Sequence, residues 1–191
     1  YCPGPYFNHP CQLSQAAVTP TTGVQGTEYT YRVLYTDADG QRPFQASVLI
    51  DTGNSSQGMA GVVRAEMVKE NAADNDYTDG VWYVFNTGSF ENLTLAKGIR
   101  RFRFEFIDDW GRQNDPNDRI RGEITRYPVA GGWINGPTIG DNLKPTLRFG
   151  KAEAPDGTAN DATLWTFSVN YKDLNNDPPT FITVYIGQLQ D

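Results

Sequence analysis

Apolar and polar residues alternate along several short stretches of this chain, with the period of two that is typical of β-strands. In residues 29–35 the odd positions hold Tyr, Tyr, Val and Tyr, and the even positions hold Thr, Arg and Leu. Residues 101–107 place three phenylalanines between arginines and a glutamate in the same way. Further short apolar stretches, separated by turn-forming residues, lie at 59–67, 81–85 and 93–95. About seven short strands split by turns predict an all-β sandwich.

The stretch 27–50 occurs a second time, at 163–186. The two copies align without a gap at a constant offset, since 171 − 35 and 186 − 50 both give 136. Identical residues fall at the aligned pairs Thr27/Thr163, Thr30/Thr166, Val33/Val169, Tyr35/Tyr171, Asp37/Asp173, Pro43/Pro179, Val48/Val184 and Ile50/Ile186. Upstream, Leu13 aligns with Leu147 after a small gap. One module therefore begins twice, and each copy is expected to form a strand, a turn and a second strand that make a two-strand unit.

The second copy ends shortly after residue 186, before the counterparts of the later strands of the first copy. We therefore predict four segments, which are an N-terminal segment at 1–12, a complete sandwich at 13–127, a Gly/Pro-rich connector at 128–142 and a partial second module at 143–191. A half-sandwich has open strand edges and an uncovered apolar face. The side chains expected on that face are Trp165, Phe167, Val169, Tyr171, Val184 and Ile186.

The repeated pattern T-x-(Tyr/Trp)-Thr-(Tyr/Phe)-x-Val-x-Tyr-x-Asp, with its later Pro and Val-x-Ile strand, resembles immunoglobulin-like repeat modules of large secreted or cell-surface proteins of bacteria and archaea. The later stretches DGVWY at 79–83, LAKG at 95–98 and FRFEF at 102–106 are similar to the continuation of that module. The resemblance covers the first copy nearly end to end and the first half of the second. It implies an immunoglobulin-like β-sandwich with a structural or adhesive role, and it carries over no active site.

Charge and hydropathy narrow the class of partner. The chain has 16 Lys and Arg against 23 Asp and Glu, which gives a net charge of −7 and a pI of about 4.7. So acidic a protein is not expected to bind nucleic acid. No apolar run approaches the roughly 18 residues that a transmembrane helix needs, so no transmembrane segment is expected. The sequence opens at Tyr1 with no basic-then-apolar leader pattern, so we expect a processed, secreted protein.

Both cysteines of the chain lie in its first eleven residues, together with three prolines. Cys2 and Cys11 are expected to form a disulfide that closes a rigid N-terminal ring. Metal binding is the competing interpretation, but His9 and two cysteines are fewer ligands than a closed zinc site normally takes. A disulfide implies an oxidising compartment, so we expect an extracellular or cell-surface protein.

The sequence offers no catalytic set. His9 is the only histidine, and an enzyme with a nucleophile and a base needs a positioned base. The adjacent Asp108 and Asp109 could serve a glycosidase, but carboxylates in the loops of an acidic protein are more often solvated or bound to metal. No phosphate loop and no haem-attachment motif occurs, so neither a nucleotide nor haem is expected. We predict that the protein is not an enzyme.

Several loops are rich in Asp, Asn and Gly, and oxygen ligands at alternate positions are what calcium requires. Asp74, Asp76 and Asp79 form the best calcium candidate, and Asp37 with Asp39 forms a weaker one. None of the loops matches a complete EF-hand loop. The same residue types are ordinary turn formers, so a purely structural interpretation stays open for each loop.

Two features of the sequence are compatible with glycosylation or with carbohydrate binding. Asn54-Ser-Ser and Asn92-Leu-Thr match the pattern for N-glycosylation. Trp110 and Trp133 could stack on a sugar ring if they are exposed, although tryptophan in a sandwich more often packs inside. Surface glycans are therefore an alternative partner.

The sequence favours a secreted structural subunit. Because the second module is open, we expect the chain to assemble with other copies of itself into a surface filament or layer. The contact would be a strand added across the open edge, or a first module packed on the open face. The alternative is an adhesive or carbohydrate-binding module of a larger surface protein.

Overall fold

The computed structural model describes residues 8–109, 124–154, 164–174 and 178–186. The chain divides into two compact units, Tyr1–Asp141 and Asn142–Asp191. Regular structure in the described residues consists of β-strands and two single-turn 3-10 helices, at Thr87–Ser89 and Val129–Gly131. The predicted all-β class is confirmed.

The strands of the first unit are β1 (Gln12–Thr19), β2 (Thr22–Val24), β3 (Thr30–Thr36), β4 (Pro43–Asp51), β5 (Val62–Glu66), β6 (Val68–Lys69), β7 (Val81–Asn86), β8 (Gly98–Asp108), β9 (Ile124–Tyr127) and β10 (Ile134–Gly140). Those of the second unit are β11 (Thr146–Glu153) and β12 (Thr166–Lys172). The short strands and frequent turns agree with the spacing of turn-forming residues in the sequence.

Two sheets form the first unit. One has the strand order β1–β3–β7–β6, and the other has the order β2–β10–β8–β4–β5, with β9 also paired to β8. Aromatic rings from β3 contact rings from β8: the centroids of Tyr31 and Phe102 are 5.0 Å apart, and those of Tyr35 and Phe106 are 5.7 Å apart. The two sheets therefore pack face to face around an aromatic core, which is the predicted β-sandwich.

Alternation along β3 and β8 determines which side chains enter this core. Tyr31, Val33 and Tyr35 are buried, while the Thr, Arg and Leu residues between them are half-buried on the other face. The three phenylalanines of β8 are buried in the same way. The strands predicted at 29–35, 81–85 and 101–107 are confirmed as β3, β7 and β8.

The stretch 93–95 was expected to be a strand and is not one. Leu95 is buried there, and the backbone N–H of the next residue, Ala96, donates to the backbone oxygen of Thr52 at 2.8 Å. A short apolar run can thus supply a core side chain from a loop without joining a sheet.

β3 and β4 do not pair with each other, contrary to the two-strand unit expected from the repeat. β3 lies between β1 and β7 in one sheet, and β4 lies between β8 and β5 in the other. Residues 46–50 of β4 are all buried. This strand takes an interior position in its sheet, with a neighbouring strand hydrogen-bonded along each of its edges. The turn after β3 therefore carries the chain from one sheet to the other.

The Gly/Pro-rich stretch 128–142, expected to be a connector, contains β10 and belongs to the first unit except for Asn142, which begins the second. β10 pairs antiparallel with β8 and parallel with β2. Pro137 lies where the pairing with β8 shifts register, between Asn135 and Thr138. Proline is tolerated at such irregularities because no ladder hydrogen bond is lost there. The turn-forming residues mark a bulge in a strand rather than a linker.

The hairpin of β11 and β12 in the second unit repeats the pairing of β1 with β3. Leu147 lies opposite Tyr171, as Leu13 lies opposite Tyr35. The remaining pairs of the two hairpins follow the same register along their whole length. The sequence repeat is therefore also a repeat of strand pairing.

The β1–β3 pair, whose strands are separated in the chain by β2, shares a bulge with the β11–β12 hairpin. The register shifts after Ser14 in the first pair and after Arg148 in the second. The residue that follows each of these has a left-handed backbone, with φ of 52° at Gln15 and 55° at Phe149. Non-glycine residues seldom adopt this conformation, so its recurrence at aligned positions shows that the two hairpins have the same local geometry.

Residues 178–186 align with β4 but form no strand. In the first unit, β4 is held by β8 on one edge and by β5 on the other. The described residues of the second unit contain no counterpart of either strand. The strand predicted at 184–186 therefore has no partner in the described part of this unit.

Alanine variants at aligned positions of β3 and β12 should differ in their effect on stability, because β3 is buried and β12 is exposed. Tyr31→Ala should lower the free energy of unfolding of the first unit by about 3–5 kcal/mol, because it leaves a cavity between the sheets. Phe167→Ala should change the free energy of unfolding of the second unit by less than about 0.5 kcal/mol, because its side chain is exposed. Urea unfolding of dilute protein measures both. Equal losses would contradict the contrast between the two copies.

Candidate functional site

Apolar side chains on one side of the second unit are exposed. This surface, called the hairpin face below, consists of the exposed side chains of Leu147, Trp165, Phe167 and Val169 and the half-buried side chain of Tyr171. Phe167 and Val169 are 42% and 40% exposed, whereas the aligned residues Tyr31 and Val33 are 0% exposed. The same strand pattern is thus buried in the first unit and open in the second.

In the first unit, two kinds of contact cover the aligned surface. Tyr31 and Tyr35 pack against phenylalanines of β8 in the opposite sheet. In addition, β7 pairs along the edge of β3 that β1 leaves free. The described residues of the second unit supply neither a covering sheet nor a strand beside β12. Among the described residues, the hairpin face therefore lacks the opposite sheet and the neighbouring strand that cover the aligned surface in the first unit.

A second exposed apolar segment lies at 181–186, with the sequence Phe-Ile-Thr-Val-Tyr-Ile. Val184 and Ile186, which were expected on the assembly face, belong to it and are exposed. No strand pairing places them beside β12 in the described residues. The structure thus places Phe167, Val169 and Tyr171 on β12, with Trp165 directly before it, and leaves Val184 and Ile186 in a separate segment.

The hairpin face carries a free-energy cost while it stays open. Burial of one large apolar side chain contributes roughly 1.5–3 kcal/mol, and an isolated two-stranded hairpin is at best marginally stable in water. Contiguous exposed apolar surface on a protein commonly marks a contact with another molecule. The hairpin face is therefore the strongest candidate for a functional surface in the described part of the chain.

Asp37 and Asp39, the weaker calcium candidate, are held by protein groups in the loop between β3 and β4. Oδ1 of Asp37 accepts hydrogen bonds from the backbone N–H groups of Asp39 and Gln41, at 2.9 and 3.0 Å. Asp39 accepts a hydrogen bond from the backbone N–H of His9 at 2.7 Å. Burial raises the pKa of Asp37, and the hydrogen bonds from His9 lower the pKa of Asp39. Asp39 therefore anchors the N-terminal segment to this loop.

Asp74, Asp76 and Asp79, the best calcium candidate from the sequence, do not surround a common point. No group of three or more His, Cys, Asp or Glu side chains in the described residues is placed to hold a metal ion. The oxygens of this loop bind a lysine instead: Nζ of Lys69 donates to the backbone oxygen of Asp74 at 2.6 Å and to Oδ1 of Asn75 at 2.7 Å. Calcium at this loop stays a prediction, and the lysine would have to leave first.

Cys11 is buried directly before β1, and its thiol is free in the structure. Its expected partner, Cys2, lies outside the described residues, so the disulfide stays a prediction. Burial is the main cause that raises the pKa of Cys11 to about 11, with further contributions from the charges of Asp108 and Asp37. A buried thiol that remains protonated reacts slowly with alkylating reagents.

Alkylation can test the disulfide only after the protein is unfolded. If Cys2 and Cys11 are joined, iodoacetamide in urea without reductant should label neither thiol, and both should become labelled after reduction. The folded protein is the control, because burial alone protects Cys11 there. Intact mass reports the number of labels. Two labels in urea before reduction would overturn the pairing.

The candidate glycosylation sites lie in two loops of the first unit that contact each other. The side-chain oxygen of Asn54 accepts hydrogen bonds from the backbone N–H and the hydroxyl of Ser56. Nε2 of Gln57 joins the loops, since it donates to the backbone oxygen of Asn92 at 2.8 Å and to Oγ1 of Thr94 at 2.9 Å. Asn92 is exposed and Asn54 is half-buried. Glycosylation of either residue stays a prediction.

Two arginines lie close to the ring of Trp133. The guanidinium of Arg103 lies 4.8 Å from its ring centroid, and that of Arg101 lies 5.7 Å away. Both distances are typical of cation–π contacts, and a sugar would compete with them for the ring surface that they cover. Trp110 lies outside the described residues. Carbohydrate binding therefore stays a prediction without a described binding surface.

Glu105 is a buried charge in β8 that the sequence analysis did not single out. It faces away from the core, where it forms ion pairs with Arg64, Arg103 and Arg126 at N···O distances of 2.5, 3.0 and 3.1 Å. Burial alone would raise its pKa, but the hydrogen bonds and charges of the arginines outweigh burial and lower it. The alternation of Phe with charged residues in 101–106 was the available signal for this polar cluster.

Stability should depend on pH through Glu105. Because its pKa is lower in the folded state, the glutamate stabilises the fold above its unfolded-state pKa, and this contribution is lost as pH falls through the folded-state pKa. Glu105→Gln should lower the Tm at neutral pH, since three arginines lose a charged partner, and should flatten the fall in Tm in acid.

The exposed pair of Arg32 and Glu70 provides the control, because Glu70→Gln should leave the Tm profile almost unchanged. Calorimetry from neutral pH down to about pH 2 measures all three proteins. A Tm profile of Glu105→Gln that runs parallel to that of the parent chain would contradict this role for Glu105.

No protein-family model matches this sequence, and no curated protein matches it at a significant level. The resemblance to immunoglobulin-like surface modules therefore stays an expectation. Within the described residues, the fold contains no helix with the length and apolar character needed to span a membrane.

Proposed function

We propose that this chain is an extracellular structural subunit that assembles with other copies of itself through the hairpin face and the free edge of β12. The observation that supports this proposal is the repeated hairpin, which has the same register and bulge in both units but is covered only in the first. Because the apolar positions match, the same kind of cover suits both copies.

The edge of β12 that faces away from β11 suits an added strand. On the corresponding edge, β3 pairs with β7, with Tyr31 opposite Phe85 and Tyr35 opposite Val81. β7 turns its alternate residues Val81, Tyr83 and Phe85 into the core. A strand added to β12 would satisfy its backbone groups and would bring alternating apolar residues over the hairpin face.

The exposed segment 181–186 has the composition of such a strand. It contains β-branched and aromatic residues, which favour strands, and it contains neither charge nor proline. Its even positions hold Ile182, Val184 and Ile186, and all three align with core residues of β4, which are Ala46, Val48 and Ile50. In this proposal the segment 181–186 of one copy binds the edge of β12 of the next copy.

A contact of this kind joins two different surfaces of identical chains. Such heterologous contacts build open filaments unless the rotation between subunits closes a ring. An extracellular location is part of the proposal. It is supported by the two cysteines in the proline-rich N-terminal segment and by the resemblance to secreted surface modules.

Paired substitutions on opposite faces of β12 test the proposal. Phe167→Glu with Val169→Glu places two charges on the hairpin face, and Ser168→Glu with Asn170→Glu places the same charges on the same strand facing the other way. Sedimentation velocity and negative-stain electron microscopy at increasing protein concentration report assembly. The first variant should stay monomeric, and the second should assemble like the parent chain.

A second pair tests the donor segment. Val184→Glu should block assembly, whereas Thr183→Glu, on the opposite side of an extended strand, should reduce it less. If the parent chain stays monomeric at high concentration, or if the Phe167/Val169 variant still assembles, self-assembly through the hairpin face is wrong. A chain that stays monomeric would favour the alternative of a module within a larger surface protein.

A further inference from the structure

Buried oxygen atoms at one end of the first unit lack hydrogen-bond partners. This group, called the end cluster, consists of the side chains of Asn8, Asp37, Gln41 and Asp108. Asp108 is 0% exposed, and its Oδ1 accepts no hydrogen bond. Oε1 of Gln41 and Oδ1 of Asn8 are likewise buried without a partner. Buried oxygens of this kind cost free energy unless a donor or a cation satisfies them.

Strand pairing and hydrogen bonds place the members of the end cluster at one end of the first unit. Asp108 lies opposite Pro43, and the backbone N–H of Asp109 donates to the backbone oxygen of Arg42, next to Gln41, at 3.0 Å. Nδ2 of Asn8 donates to Oδ2 of Asp108 at 3.0 Å. The backbone N–H of Gln41 donates to Oδ1 of Asp37 at 3.0 Å, which leaves Oδ2 of Asp37 with only a long contact of 3.5 Å to the Tyr35 hydroxyl. Burial, together with the nearby charge of Asp108, raises the pKa of Asp37.

The end cluster has two carboxylates and no cation of its own. Neither Asp37 nor Asp108 forms an ion pair with a described Lys, Arg or His. The arginine beside the cluster, Arg42, binds Asp109 instead, with Nε 3.0 Å from Oδ2. Buried carboxylates in proteins are normally paired with a basic side chain or bound to a metal ion.

We propose that the end cluster binds one calcium ion through Oδ1 of Asp108, Oδ2 of Asp37 and the side-chain amide oxygens of Gln41 and Asn8. Two carboxylates balance the charge of a divalent cation. Calcium accepts carboxylate and amide oxygens in a flexible geometry, whereas magnesium usually keeps several bound waters, for which a buried cluster has little room. Both carboxylates and Gln41 are nearly or fully buried, which favours calcium.

A calcium ion here would connect three parts of the first unit. Asn8 belongs to the N-terminal segment, Asp37 and Gln41 belong to the loop between β3 and β4, and Asp108 ends β8. This loop carries the chain from one sheet to the other. The ion would therefore fix the N-terminal segment and the sheet crossover to the end of β8, independently of self-assembly.

Thermal unfolding of the full chain tests the site with calcium chloride, magnesium chloride and EDTA as probes. Calcium in hundredfold excess over its Kd should raise the Tm by about 5–10 °C relative to EDTA, because only the folded state binds it. Magnesium should raise the Tm less. Calorimetric titration should give one calcium ion per chain.

Two matched variants assign the site. Asp108→Asn should abolish the calcium-dependent rise in Tm, while in EDTA it should melt no lower than the parent chain, because a buried charge is removed without a change of shape. Asp74→Asn, in the loop occupied by Lys69, should keep the full rise.

Three results would overturn the proposal: no effect of calcium on the parent chain, a calcium effect that survives Asp108→Asn, or one that Asp74→Asn removes. A shared proton is the competing way to satisfy two neighbouring carboxylates. It predicts a Tm in EDTA that rises as the pH is lowered towards about 5 and does not respond to calcium, which would also contradict the site.

Discussion

The structure depends on one requirement: a β-hairpin with an apolar face is stable only when something covers that face. In the first unit the cover is the aromatic contact between β3 and β8, in which Tyr31 meets Phe102 and Tyr35 meets Phe106. β3 lies on one side of this contact, and β4 lies on the other side, in the same sheet as β8. The loop between β3 and β4 therefore crosses from one sheet to the other. The described residues of the second unit repeat the strand pair without such a cover, so the same requirement supports the proposal that another chain supplies it.

The first unit contains two kinds of buried carboxylate, one that is paired with arginines and one that has no basic partner among the described residues. Glu105 on the outer face of β8 is surrounded by three arginines, which supply the opposite charge that burial demands. Asp37 and Asp108 at the end of the sandwich have no such partners among the described residues. Since both sites are formed by ordinary alternation and turns, the difference between them lies in whether a described side chain supplies a cation. The calcium proposal follows from that difference.

Period-two alternation was sufficient to predict the all-β class, the core residues of β3 and β8 and the residues of β12 on the hairpin face. It could not predict strand neighbours, because pairing is determined by packing between distant segments. The prediction that β4 pairs with β3 was therefore wrong. Nor could it distinguish Pro137 at a bulge from proline in a linker. The calcium candidates were chosen from Asp spacing alone, and spacing does not reveal that Lys69 occupies one loop or that Asp108 is buried beside another.

Hydrogen exchange of the backbone amides in β12 tests the central claim most directly, because it follows the repeated strand in its open and covered states. In dilute protein, amides of Thr166–Lys172 should exchange much faster than those of the aligned strand Thr30–Thr36. On concentration, the β12 amides should become protected while those of β3 stay unchanged. Protection of β12 that is already complete in the dilute monomer, or that does not change when the chains assemble, would contradict the account.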